Sequence, residues 1–241
     1  MEEHKIEYSK KTISFQLEYK KVKNINISVK PDQTVFVSAP LNATYDRIET
    51  YVKDKAKWIL KQQSHFKSTK KIDDSKKEYV SGETFKYLGT QYRLKVIENK
   101  SKEFVDVDDK YITIHTKKKN DITRKQRLMN EWFRKEAFRS FSLALKQMYP
   151  LVENILDVKP QLEVKKMAKR WGSCLRKKNI ILLNLELIKA PMHCIEYVTL
   201  HEMIHFKYKN HNKAFYDKLT ILIPDWKRRK EILDEEIVLF I

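Results

Sequence analysis

The chain reads as an α+β protein, and three observations predict it. Apolar residues alternate with polar ones from 12 to 38 and again from 79 to 116, the period of half-buried strands. Helical periodicity takes over from 122. A histidine motif with helical spacing then begins at residue 201. The expected organisation is a strand-rich region with one helix over 1–120. Helices and a small antiparallel sheet follow over 121–241. A chain of 241 residues, 41% hydrophobic, can support two such regions.

Three strands are predicted over 12–38, on Ile13, Phe15 and Leu17, then Ile25, Ile27 and Val29, then Val35 and Val37. Pro31-Asp32-Gln33 supplies a turn and Pro40 ends the run. One helix is expected over 44–63, with Thr44 as its cap and Ile48, Tyr51, Val52, Ala56 and Ile59 on its apolar face. Trp58 is expected to anchor that helix to the sheet. Residues 67–78 are nearly all polar and read as a solvated linker whose Lys70-Lys71 and Lys76-Lys77 pairs could touch phosphate.

Gly82 and Gly89 punctuate a second set of strands carrying Phe85 and Tyr87, then Tyr92, Leu94 and Val96. Val105 and Val107 pair with Ile112 and Ile114 across an Asp108-Asp109 turn, and His115 is read as a surface residue. A long amphipathic helix spans 122–149. Leu128, Phe133, Ala137, Phe141, Leu145 and Met148 mark its core face, with Trp132 and Phe138 beside it. Arg124, Lys125, Arg127, Arg134, Lys135 and Arg139 form its polar face, and Pro150 stops it.

Strand character returns over 161–187 through Leu162, Val164 and Met167. Arg170-Trp171-Gly172-Ser173-Cys174 follows, with a turn at Lys177-Lys178-Asn179 and a buried strand from Ile180 to Leu185. Pro191 stands at the start of the motif helix, where its missing N–H is harmless. Asn210 is expected to turn the chain back in a left-handed conformation. Helices over about 213–222 and 225–238 close the chain, and no internal repeat is visible.

The net charge is +18 and the pI about 9.6. Such a charge favours polyanions, but the basic residues are dispersed rather than gathered in one block. Nucleic acid is therefore a possible partner through the basic surface, and lysine-rich composition without such a role is the bland alternative. No apolar run approaches a membrane span, and the start Met1-Glu2-Glu3-His4-Lys5 lacks the apolar core of a signal peptide. The expectation is a cytoplasmic protein with no membrane partner. Cys174 and Cys194 are too few for a disulfide framework and are read as reduced and buried. Cys194 lies near the motif helix, and packing is the expected role.

The chemistry centres on His201-Glu202-Met203-Ile204-His205 with His211 six residues on. Positions i and i+4 share a helix face, so His201 and His205 can direct two imidazoles at one point. His211 completes three ligands and leaves a fourth position open, as a catalytic zinc site requires. Glu202, beside the first ligand, can reach water held there. The flanking Ile195, Tyr197, Val198 and Leu200 suit a buried helix, on which three polar side chains must be paired.

With Arg170-Trp171-Gly172-Ser173-Cys174 and the histidine motif together, the chain resembles the YgjP-like metallopeptidase family. These are relatives of the SprT and WLM peptidases within the zincins. Further matching pieces are Ile181, Leu183, Asn184 and Pro191, then Tyr197-Val198, Asn210-His211, Phe215 and Pro224-Asp225. Ala39-Pro40, Lys57-Trp58-Ile59, Gly82-Glu83 and Tyr87-Leu88-Gly89 extend the resemblance over nearly the whole chain. It implies a zincin-like catalytic domain over 121–241, with Zn2+ on His201, His205 and His211, Glu202 as general base, and a protein or peptide as substrate.

Departures from other zincins are Tyr208 where metzincins place glycine, no methionine after Met203, and no four-cysteine ribbon. Arg170 or Tyr208 could serve as a second electrophile, or Arg170 and Trp171 could only brace the loop. Three functions follow. The first is a zinc peptidase, acting near DNA if the charge has that purpose. The second is a metal-dependent hydrolase of nucleotide phosphoanhydrides, for which no glycine-rich phosphate cradle is visible. The third is a binding module with a structural metal, which usually takes four protein ligands.

Overall fold

Alternation of apolar residues produces strands where the sequence predicts them, and one more ahead of them. The computed structural model describes residues 2–9, 11–30, 32–69, 77–156, 158–168 and 170–236. They belong to two compact units that divide between Lys76 and Lys77.

In the first unit, β1 (Glu2–Tyr8), β2 (Lys11–Lys20), β3 (Asn26–Val29) and β4 (Val35–Pro40) form one sheet in the order β1-β2-β4-β3. β2 and β4 run parallel and the other pairs antiparallel. Ile13, Phe15 and Leu17 on β2 and Val35, Val37 and Ala39 on β4 are buried. β1 escapes sequence reading because its seven residues are mostly charged or polar and only Ile6 reaches the core.

The helix expected over 44–63 is two, α1 (Tyr45–Asp54) and α2 (Ala56–Thr69). The break is at Lys55, whose φ of −94° and ψ of 0° leave the helical region. No glycine or proline marks the spot, and buried Ile48, Val52, Ala56 and Ile59 keep their spacing across it. Trp58 is 40% exposed and does not anchor the helix. α2 takes in the first residues of the expected linker, and Lys70-Lys71 and Lys76 lie outside the described residues.

In the second unit, β5 (Thr84–Tyr87), β6 (Thr90–Glu98), β7 (Phe104–Val107) and β8 (Tyr111–Thr116) make a sheet in the order β5-β6-β8-β7. Asp108 caps the predicted turn by accepting the N–H groups of Lys110 and Tyr111. His115 stacks on Phe104, consistent with its expected place away from the motif. The long helix α3 (Ile122–Met148) starts at Asp121, whose side chain accepts the Arg124 N–H.

This sheet and α3 share one core. Tyr87 packs on Trp132 at 5.0 Å between ring centroids, and its hydroxyl donates to buried Glu136 at 2.9 Å. The unit therefore begins at Lys77, ahead of the boundary expected at 120. Phe138 departs from the expected core face and is 56% exposed, while Lys125 from the polar face is buried.

Glu103, just before β7, ties the sheet to the start of α3. It accepts from the Arg124 guanidinium, the Lys117 N–H and the Thr116 hydroxyl. The Arg124 contact holds its carboxyl down to about 2 from an ordinary 4.5. A depressed carboxyl stabilises the fold above its unfolded pKa, and that stabilisation is lost as pH falls from about 4.5 to about 2. Urea midpoints of the parent and Glu103→Gln should differ at pH 7 and converge as pH falls to about 2. A constant gap across that range would remove the linkage.

A three-stranded sheet and three helices complete the unit. β9 (Gln161–Lys165), β10 (Gly172–Leu175) and β11 (Ile180–Asn184) are ordered β10-β11-β9. β10 pairs antiparallel with β11, but β9 runs parallel to it, so the sheet is mixed. Asn179 makes the predicted β10–β11 turn at φ 55°. α4 (Met192–Ile204), α5 (Lys213–Leu222) and α6 (Trp226–Glu236) follow. Among the described residues no helix is long and apolar enough to cross a membrane.

Candidate metal centre

α4 carries the site because it is apolar on nearly every face. Nine of its thirteen residues are buried, as expected for a helix inside a core. Pro191 precedes its first turn, and the β5–β6 turn presses on that proline. Gly89, at φ +83°, donates its N–H to the Lys189 carbonyl, and a Cβ there would meet the Pro191 ring at 2.7 Å. At the same end of the helix, Arg229 of α6 donates to the His193 carbonyl and to Glu196. The start of α4 is thus fixed from two sides.

His201 and His205 project from the last turn of α4. The chain then folds back without any left-handed residue, so Asn210 does not play the role expected of it. Backbone bonds from Phe206 to Met203 and from Tyr208 to Ile204 make the turn. Asn212 caps α5 by accepting the Phe215 N–H, and His211 is delivered just before it. His211 Nε2 lies 2.9 Å from His201 Nε2 and 3.0 Å from His205 Nε2. The structure therefore brings all three predicted histidines to one point.

Phe215, fully buried on α5, underlies the three rings, with centroids 4.9, 4.7 and 4.8 Å from those of His201, His205 and His211. In the sequence it enters only as one of the positions that carry the family resemblance. It fixes three imidazoles at once.

The protonation pattern suits a cation. His205 Nδ1 lies 2.9 Å from the Tyr208 carbonyl and donates to it, which leaves Nε2 a bare lone pair in the neutral ring. Burial pushes His201 down to about 3 and lowers His205 and His211 as well. The rings are neutral at pH 7, with nitrogens converging. His201 Nδ1 is buried with no hydrogen-bond partner among the described residues. Tetrahedral coordination at about 2.0–2.1 Å sets ligand nitrogens about 3.3 Å apart, a few tenths of an ångström wider than found. The donor set fits a divalent metal of the zinc type.

Glu202 faces the opposite wall. It is buried beneath Gly172 of β10, where a Cβ would stand 2.6 Å from Glu202 Cγ and 2.7 Å from Oε1. Only glycine leaves room for the carboxyl. Burial raises Glu202 to about 7, against the pull of the Arg170 charge and the Cys174 amide. Asn184, at the end of β11, sets the loop that leads to Gly172. Its side chain accepts from the Met167 and Glu186 N–H groups and donates to the Met167 and Arg170 carbonyls.

A cleft of about 580 Å³ opens over the histidines and Glu202. Trp171, Tyr197, Tyr216 and Trp226 give it aromatic walls, and Arg170, Arg176 and Lys209 stand on it as cations. Cys174 is half-buried and lines the cleft, where burial and Glu202 raise its thiol to about 11. Cys194 is buried, as expected, with its thiol against the Arg229 carbonyl. Tyr208 lies outside the cleft lining and contributes its carbonyl to His205. Of the two electrophiles considered, only Arg170 borders the cleft.

The family model described as the YgjP-like metallopeptidase domain matches residues 23–236. The chain belongs to the YgjP-like metallopeptidase family. It is therefore a peptidase hydrolase, and membership implies a divalent metal. Among solved structures the YgjP-like chain is similar to the metallopeptidase zymogen jannalysin of Methanocaldococcus jannaschii. Identity is 19% over 41% of this chain and 91% of that one, with a TM-score of 0.36. It is also similar to the abylysin zymogen of Pyrococcus abyssi, at 17% identity over 39% and 89%, with a TM-score of 0.34. No curated protein matches it significantly.

Proposed function

We propose that the chain is a zinc-dependent peptidase in which His201, His205 and His211 hold the metal and Glu202 is the general base. One observation carries this reading: His211 Nε2 lies within 3.0 Å of both His201 Nε2 and His205 Nε2, all three rings neutral, at the floor of a cleft that also holds Glu202. Zinc supplies Lewis acidity, polarising a carbonyl oxygen and making water a nucleophile near neutral pH.

The chain's own groups do the rest. β10 is an edge strand, so its outer edge can pair with an extended peptide and hold the scissile bond in the cleft. Glu202 accepts the proton of the attacking water at a carboxylate oxygen and hands it to the leaving amine.

His211 is the ligand supplied from outside the helix, and it is exposed. Its removal should leave the fold intact and lower zinc content. Metal analysis of His211→Ala after dialysis against a weak chelator should show well under one zinc per chain. Stoichiometric zinc in that variant would take His211 out of the ligand set. Purified parent protein, zinc-loaded, should cleave an unfolded protein substrate, and a chelator should abolish the cleavage.

A second reading, hydrolysis of nucleotide phosphoanhydrides, draws on the cations Arg170, Arg176 and Lys209 at the cleft. Against it, Gly82 and Gly89 belong to the β5–β8 sheet, and Gly172 serves Glu202, so no glycine is left to cradle phosphate. The net charge of +18 supports a further proposal, that nucleic acid binds the basic surface and the peptidase acts near it in the cytoplasm. Binding to duplex DNA should then weaken linearly in log–log salt titration. A flat response would leave the charge without that role.

A further inference from the structure

We propose that Arg170, Arg176 and Lys209 select peptides that carry a carboxylate close to the bond that is cut. The inference rests on the peptidase reading above and names the substrate class of the same cleft. Its starting point is an imbalance of charge. Among the described residues none of the three cations lies within ion-pair distance of a carboxylate. Lys230, the fourth cation lining the cleft, is paired with Asp234. The remaining acidic group there, Glu202, is buried beneath Gly172 and held for proton transfer. An incoming peptide therefore meets three uncompensated positive charges.

Their placement gives the charge a direction. Arg170 precedes the edge strand β10 and donates to the Ser173 hydroxyl, which turns its guanidinium along the strand. Arg176 follows the strand, in the short helical turn at the β10–β11 hairpin. A four-residue strand spans about 13 Å. A peptide paired with β10 would thus pass two guanidiniums, one at the Ser173 hydroxyl and one beside the Cys174 thiol. Lys209 stands across the cleft on the turn between His205 and His211. A guanidinium binds carboxylate through two parallel hydrogen bonds, so these arginines recognise geometry as well as sign. The carboxylate can come from an aspartate or glutamate side chain or from the peptide's own C-terminus.

The test measures binding and cleavage separately. Zinc-loaded full-length Glu202→Gln is titrated with fluorescent peptides of one core sequence: acidic with an amidated end, neutral with a free end, and neutral with an amidated end. A nucleoside triphosphate is run beside them. The acidic peptide should bind about ten-fold tighter than the neutral amide, and the advantage should shrink with salt. Equally tight binding of the neutral peptide with a free end would place the recognised carboxylate at the C-terminus. Arg176→Glu and, on its exposed turn, Lys209→Glu should each reduce the ratio of acidic to neutral affinity by about ten-fold.

Equal binding of all three peptides, or tight binding of the triphosphate alone, would overturn the proposal. Cleavage by the parent enzyme reports on the peptidase reading itself. Cleavage with no acidic preference would sink the specificity and keep the peptidase. Selective binding with no cleavage of any peptide would do the reverse.

Discussion

Glu202→Gln will abolish turnover and leave the metal in place. The substitution keeps the shape of the side chain, so it still fits beneath Gly172, where a Cβ would stand 2.6 Å from Cγ. It removes the one buried carboxyl that lines the cleft among the described residues, and with it the acceptor for the water proton. General acid–base groups contribute about 10²- to 10⁴-fold, and here one residue serves in both directions, so the loss should reach at least about a thousand-fold in kcat. Zinc content should stay at the parental value, because the histidine nitrogens converge without help from Glu202.

The same variant has a second consequence that reads the site without turnover. In the metal-free protein burial raises Glu202 to about 7 from an ordinary 4.5. A carboxyl raised on folding opposes stability above its unfolded pKa. The penalty is absent below about 4.5, grows as pH rises, and is complete above about 7. Metal-free Glu202→Gln should therefore be more stable than the metal-free parent at pH 8, by at most about 3 kcal/mol, and equal to it at pH 4. A parent-like kcat would end the general-base role. Equal stability at pH 8 would mean that the carboxyl is solvated in the cleft.

The histidine triad was legible because its spacing is local. His201 and His205 share a face by helix geometry alone, and a short turn can reach back only so far, so His211 had few other places to go. The paired strands were legible for a similar reason, through alternation at Phe15, Leu94 or Ile112. The break at Lys55 was not, because helical spacing continues through it and nothing in the local chemistry forbids a helix there. The first strand was hidden by its charges, and the parallel placement of β9 beside β11 is a tertiary choice that alternation does not encode. Phe138 and Lys125 exchanged their expected environments on α3, since a helix packed against two sheets has no single clean apolar face. Phe215 and Asn184 carry the deepest structural roles around the site. Each is one residue whose partners, three imidazoles and the Met167–Arg170 loop, lie up to seventeen positions away.

Gly172→Ala should largely inactivate the enzyme through its effect on Glu202, and for a steric reason. Gly172 is buried on β10 with an ordinary backbone, so its glycine is not there for conformational freedom. It is there because Glu202 occupies the space a side chain would fill: Cγ, Oε1 and Cδ all come within 3.0 Å of the added carbon. Neither side can yield easily. β10 is held in register by β11, with Gly172 opposite Leu183, and the Trp171 carbonyl accepts the Asn184 N–H. Glu202 sits on a helix buried on nearly every face. Overpacking of this kind costs about 1–3 kcal/mol. The flexible carboxyl is the part that can move, so the strain should be relieved by displacing it from its position over the cleft. Gly172→Ala should lose about a hundred-fold or more in kcat while retaining zinc, since none of the histidines approaches the added carbon within the distance of Glu202. A double-mutant cycle separates this cause from a general loss of folding. In a Glu202→Ala background the clash is gone, and Gly172→Ala should cost little or no stability. An equal loss of stability in both backgrounds would show that glycine is required by β10 itself and not by the carboxyl beneath it.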